Sequence, residues 1–116
     1  MSTPLQVFKF GGASVRDADG IRNVGRIIRE YGTPPLVVVV SAVGKTTNAL
    51  EDVVAAFAKT DNALAAERFA AVKQDHFALG QELLGPDEET LSRLNDAFVE
   101  VDWLLEEPFD QSPAAA

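Results

Sequence analysis

Two short segments hold most of the groups that could do chemistry on a small anion: "KFGGAS", residues 9–14, and "SAVGKTTN", residues 41–48. In the first, Gly11 and Gly12 remove side chains where backbone must approach a ligand, and a helix after them can aim free N–H groups at an anion. Lys9, beside that turn, offers the point charge that a phosphoryl group in transfer requires. The plainer alternative is a tight glycine turn next to an exposed strand-end charge. In the second segment Ser41, Thr46, Thr47 and Asn48 form a dense set of short donors and acceptors. They suit the carboxylate or ammonium of a small polar substrate, or they cap the next helix. Lys45 is either a second positive charge at such a site or a solvated loop residue.

Gly44-Lys45-Thr46 also spells the end of a phosphate-binding loop of the Walker A kind. That pattern needs a glycine five positions before the Gly-Lys pair, where the chain turns tightly and presents N–H groups to phosphate. The position is Val39, inside the apolar run "LVVVV". A buried strand residue can neither make that turn nor expose its backbone. A nucleotide-binding loop built on Lys45 is therefore the weakest reading of the segment.

The elements that must position these groups are legible in the pattern. "LQVFKF", residues 5–10, reads as a strand ending at the two glycines. "DADGIRNVGRIIREYG" places Ile21, Val24, Ile27, Ile28 and Tyr31 at helical spacing, with Asp17 or Asp19 as cap, Gly32 as stop, and Arg22, Arg26 and Arg29 toward solvent. "TPP" breaks the chain before "LVVVVSA", whose unbroken apolar run at 36–41 predicts a strand covered on both faces. Strand, glycine turn, helix, strand makes a crossover unit with a parallel pair.

Beyond it the pattern is helical. One helix carries Leu50, Val53, Val54 and Phe57 on one face, with Thr47 or Asn48 able to cap it. A longer one runs from about residue 62 to Leu84 and stops at Gly85; the last starts at a cap on Asp87 and carries Leu91, Leu94, Phe98, Val101 and Leu105. Trp103 and Phe98 are expected in the core, and His76 has a packing or surface role on the long helix. The segment from 108 to 116 has no periodicity.

Composition narrows the function classes. The chain has 116 residues, one domain's length, with 18 acidic against 10 basic side chains and a net charge of −8. With the basic residues scattered, nucleic acid and an anionic membrane surface are not expected partners. The absence of cysteine excludes disulfides, thiolate metal sites and a Cys nucleophile, and the single histidine excludes a multi-His metal site. With neither a leader-like N-terminus nor an apolar run near the ~20 residues of a membrane span, a cytoplasmic protein is expected. Two parallel strands are too few for a buried sheet, so the chain reads as the opening part of a larger α/β domain, cut at "SPAAA".

"VFKFGGASV" resembles the opening signature of aspartate kinases, a Lys-Phe-Gly-Gly-(small)-Ser-Val stretch on the first strand of the amino-acid kinase fold. "LVVVVSAVGKTTNAL" is similar to the same family's second signature, a strand running into Ser-Ala and then a Thr-Asn pair before a helix. The clear resemblance covers residues 5 to about 57, with looser agreement to about 107. It implies an α/β fold: a partial three-layer α/β/α sandwich of the amino-acid kinase, carbamate kinase-like type, incomplete over 1–107. It further implies transfer of the γ-phosphoryl of ATP, with Mg2+ bound through the ATP, to the β-carboxylate of L-aspartate, giving 4-phospho-L-aspartate for lysine, threonine and methionine biosynthesis.

Carried over by position, Lys9 is the catalytic cation. Lys9, Phe10, Gly11 and Gly12 bind the ATP phosphates, Ser14 lies close behind, and Ser41 and Thr47 hold aspartate. No protein-held metal is implied, and a homo-oligomer is expected for the full-length enzyme. The family's later Gly-Glu and Gly-Arg-Gly-Gly-Ser-Asp-like segments, nucleotide-base pocket and ACT domains have no counterpart in residues 1–116, so these residues alone are expected to be inactive. A truncated paralogue acting as an interaction module is the alternative.

Overall fold

The computed structural model describes residues 3–109; the part of the expected irregular tail from 110 onward lies outside them. The element order is strand β1 (Gln6–Phe10), a 3₁₀ turn (Gly12–Val15), helix α1 (Ala18–Tyr31), strand β2 (Leu36–Val40), then helices α2 (Thr46–Ala58), α3 (Asn62–Leu84) and α4 (Glu88–Glu106). The contacts group into two units, one running to Thr46 and the other beginning at Thr47.

In the first unit β1 and β2 pair in parallel, with Lys9 opposite Val39 and Phe10 opposite Val40. The expected bounds of 5–10 and 36–41 shorten by one residue each, although the Ser41 N–H still donates to the Phe10 carbonyl at 3.0 Å. Helix α1 starts where a cap permits it: the Asp17 carboxylate accepts from the Gly20 N–H at 2.8 Å, while Asp19 sits inside the first turn. It stops at Gly32, whose N–H donates to the Ile28 carbonyl. Gln6 ties the return to β2, since its side-chain oxygen accepts from the Thr33 N–H at 2.6 Å. Phe8 and Phe10 alternate onto one sheet face and pack with Val15, Ile21, Val24, Ile27 and Ile28.

Two apolar expectations fail in this unit. Tyr31, at the last turn of α1, is exposed, and so is β2: Val37 to Val40 keep 36–52% of their surface open. A single helix reaches the β1 side of one face only, and among the described residues two strands form the whole sheet. The valine run therefore has neither the second helical layer nor the flanking strands its composition anticipates.

The second unit is built around Phe69, which is fully buried with Val53, Ala56, Ala65, Val72 and Leu105. Phe98 is half-buried against it and meets the rings of Phe69, His76 and Phe77 edge-on at 5.4–5.7 Å. Asp61 and Asp87 cap α3 and α4 by accepting from the Leu64 and Thr90 N–H groups. Asn62 closes the other end of α4 by donating to the carbonyls of Leu105 and Glu107, groups that a helix terminus otherwise leaves unpaired. Lys73 on α3 pairs with Asp102 on α4 at 2.8 Å. Contrary to expectation Trp103 is 63% exposed, and Leu50 and Val54 on α2 are exposed as well. Thr47 and Asn48 are not caps, because α2 already begins at Thr46.

Candidate functional site

Both chemistry-bearing segments begin at carboxyl ends of the parallel strands, where open α/β sheets bind ligands. Three contacts bring them together within the first unit. The Ser41 N–H extends the strand ladder by donating to the Phe10 carbonyl. A Cβ placed on Gly12 would come 3.8 Å from Ser41 Oγ, so the glycine turn and the serine hydroxyl are neighbours. Gly44, at φ +55°, lies where a Cβ would be 3.5 Å from the Arg16 carbonyl, so the second segment folds back over the end of the 3₁₀ turn. That left-handed position suits glycine, and a Gly before a Lys in a strand-end loop was its only sequence signal.

Lys9 sits on the sheet face opposite α1. In a parallel pair, residues in register share a face, so Lys9 shares it with Val39, and Val7 shares it with Val37. The lysine is exposed, on a face otherwise composed of valines. Gly11 and Gly12 are exposed just beyond it, and a side chain added at Gly11 would meet no atom within 4 Å. Phe10 is different: its side chain is buried in the core, its carbonyl is taken by Ser41, and the phase of the parallel ladder turns its N–H toward β2 as well, which leaves ligand contact to the residues after it. Ser14 is exposed, with its N–H donating to the Gly11 carbonyl at 3.0 Å.

Val39 is extended within β2 and paired with Lys9, so the Walker A turn is ruled out by the backbone itself. Lys45 is exposed in the loop after Gly44, and Thr46 turns its hydroxyl to the Val43 carbonyl. Thr47 belongs to the second unit, in the first turn of α2, where it lines a shallow apolar depression of about 470 Å³ with Leu50, Glu51, Val54 and Ala55. His76 is committed to packing, with Nδ1 2.8 Å from the Val72 carbonyl and its ring against Phe98. Among the described residues no group of three His, Cys, Asp or Glu side chains could hold a metal ion, and no helix is long and apolar enough to cross a membrane.

Charge divides along the same boundary. Residues 1–46 carry six basic and three acidic side chains, whereas residues 47–116 carry four and fifteen. The first unit is thus net positive and the helical unit strongly acidic, so the acidic helical surface disfavours an anionic ligand.

The model of the amino acid kinase family matches residues 4–101. The chain belongs to that family. Within it, the chain is 46% identical over 44 residues to aspartokinase 2, chloroplastic, of Arabidopsis thaliana, a stretch that is 38% of this chain and 8% of the relative. It is 47% identical over 45 residues to the bifunctional aspartokinase/homoserine dehydrogenase 2 of Escherichia coli K12, which is 39% of this chain and 6% of that protein. The aligned stretches are thus a small fraction of both relatives. The fold is a partial α/β amino acid kinase domain, mainly helical with a two-stranded parallel sheet, and the family relationship is to phosphotransferases.

Proposed function

We propose that the chain is the opening part of an aspartate kinase catalytic domain. The enzyme transfers the γ-phosphoryl of ATP to the β-carboxylate of L-aspartate. A carboxylate oxygen bonds to the γ-phosphorus as the bond to the ADP oxygen breaks, so the products are 4-phospho-L-aspartate and ADP.

The observation that carries this reading is the setting of Lys9. A lysine on a face of Val7, Val37 and Val39 adds nothing to sheet packing, and it stands two residues before a pair of uncovered glycines with Ser41 Oγ beside the second. A ligand at the strand ends gives that cation a purpose: its ammonium neutralises charge on the phosphoryl group in transit, while Gly11 and Gly12 hold phosphate oxygens through N–H groups. Ser41 and Thr47 are assigned to aspartate. The donor set at the turn consists of N–H groups and an ammonium, which fits anionic phosphate and not a metal ion, so magnesium arrives on the nucleotide. The short, high-identity matches to two aspartokinases favour aspartate as acceptor over other amino acid kinase substrates.

Lys9→Met in the complete enzyme tests the reading. Turnover is expected to fall by at least roughly 10²-fold, with the circular dichroism spectrum unchanged, because an exposed strand-end ammonium contributes little to folding. A variant that keeps near wild-type rates overturns the role of Lys9.

A further inference from the structure

The glycine turn is backed by α1 at a contact with no spare room. A Cβ on Gly20 would lie 2.5 Å from the Ser14 carbonyl oxygen, 3.2 Å from its carbon and 3.3 Å from Asp17 Oδ1. The first two are backbone atoms and cannot swing aside as a side chain would. Gly20 is the third residue of α1, and helical Cα–Cβ bonds tilt toward the N-terminus, so a side chain here would be aimed back at the chain entering the helix. The chain at that point is the end of the 3₁₀ turn, whose Ser14 N–H closes onto the Gly11 carbonyl. The backbone of Gly20 is also fixed, since its N–H is held by the Asp17 cap.

We propose that Gly20 is a positioning residue for the Gly11–Ser14 turn: its missing side chain sets how closely the turn sits against α1, and therefore where the turn's N–H groups stand at the strand end. The significance for phosphate rests on the kinase reading above; the contact itself does not. Any larger residue forces the Ser14 carbonyl back by roughly 1 Å to reach an ordinary van der Waals separation, and the displacement passes through the Ser14–Gly11 hydrogen bond to both glycines. Gly11 to Ser14 are exposed, between Phe10 and Val15, which anchor the ends of the turn in the core with Val24.

Gly25, on the same helix, supplies an internal control. Its added Cβ would meet only Arg29 Nη1, at 3.3 Å, the far end of a flexible side chain. Both changes put alanine for glycine in α1, Gly20 in its first turn and Gly25 in its interior, and they differ above all in what the methyl strikes.

The experiment compares wild type, Gly20→Ala and Gly25→Ala of this chain by ¹H–¹⁵N correlation spectra alongside thermal melts, and the same three forms of the complete enzyme by turnover with MgATP. Gly25→Ala is expected to melt a few degrees higher, with the Gly11, Gly12 and Ser14 amide peaks in place. Gly20→Ala is expected to stay folded without that gain, to displace those three peaks, and in the complete enzyme to lower turnover by up to roughly 10²-fold, the cost of a 1 Å misplacement. Unmoved Gly11, Gly12 and Ser14 peaks, or a rise in melting temperature matching Gly25→Ala, overturn the proposal. So does outright unfolding, which makes Gly20 a structural residue. A complete wild-type enzyme that shows no ATP-dependent phosphorylation of aspartate, with the peaks of this chain nevertheless displaced in Gly20→Ala, removes the kinase reading and leaves the positioning contact standing.

Discussion

The two units of this chain divide labour in opposite ways. The first has a thin core, one helix over part of a two-stranded sheet, yet it holds Lys9, the glycine turn, Ser41 and a surplus of positive charge. The second has the fuller core, centred on Phe69 and Phe98, together with two interhelical polar ties and an acidic surface; of the proposed site residues only Thr47 falls in it. The proposed chemistry is concentrated where burial is least. Strand ends and glycine turns expose backbone to a ligand by forgoing the side-chain cover that would stabilise them, whereas a helical hairpin is free to spend its residues on packing.

The largest test of that contrast is Phe69→Ala. Removing a fully buried aromatic ring leaves a cavity as well as losing its transfer energy, so a loss of about 3–5 kcal/mol is expected. Each unit carries its own chromophore: the chain's single tryptophan, Trp103, lies on α4, and its single tyrosine, Tyr31, ends α1. Urea unfolding followed by tryptophan emission should shift strongly to lower denaturant, while the tyrosine signal shifts much less. Equal shifts in both would show that the two cores unfold as one, and the contrast between units would lose its energetic meaning.

A smaller effect is expected from Asp17→Ala, which removes the carboxylate that accepts from the Gly20 N–H. Loss of an N-cap costs about 1 kcal/mol. Here the cost falls on the unit with less core to absorb it, so the tyrosine-detected transition should move and the tryptophan-detected one should not. The outcome that breaks the comparison is a shift confined to Trp103.

Much of this division was legible in the sequence, for reasons that can be stated residue by residue. Asp17, Gly32, Gly85 and Asp87 mark helix ends by local chemistry, which tertiary context rarely overrides, and all four mark ends in the structure. The expectation that Trp103 is core went wrong because hydrophobicity outweighed phase. The stripe through Leu94, Phe98, Val101 and Leu105 already occupies the inward face of α4, and Trp103 falls off it, two residues past Val101. Burial of β2 was misjudged for another reason: an all-valine run reports the environment for which a strand is suited, and that environment needs partners that residues 3–109 do not place around it. The closeness of Gly12 to Ser41 was legible only as far as the parallel pairing was, since it follows from register. The contact of Gly20 with Ser14 was not legible, because no pattern of residue types specifies how nearly a helix meets the turn before it.

The smallest expected effect separates the two lysines at the strand ends. Lys9 lies in β1, on a valine face beside the glycine turn; Lys45 lies in an exposed loop after a left-handed glycine, with its would-be phosphate-loop partner Val39 locked into β2. If position at a strand end were enough to make a lysine functional, Lys45→Ala would lower turnover of the complete enzyme as Lys9→Met does. The geometry argues otherwise, because a cation aids phosphoryl transfer only when preorganised beside the donors that hold the phosphates. Lys45→Ala should therefore change stability by no more than about 0.5 kcal/mol, the range of an ordinary surface substitution. The rate and the KM for ATP should stay within about threefold of wild type, less than the smallest effect ascribed to a positioned electrostatic group. A collapse in rate with Lys45→Ala, and none with Lys9→Met, would exchange the roles of the two segments and return the phosphates to "SAVGKTTN".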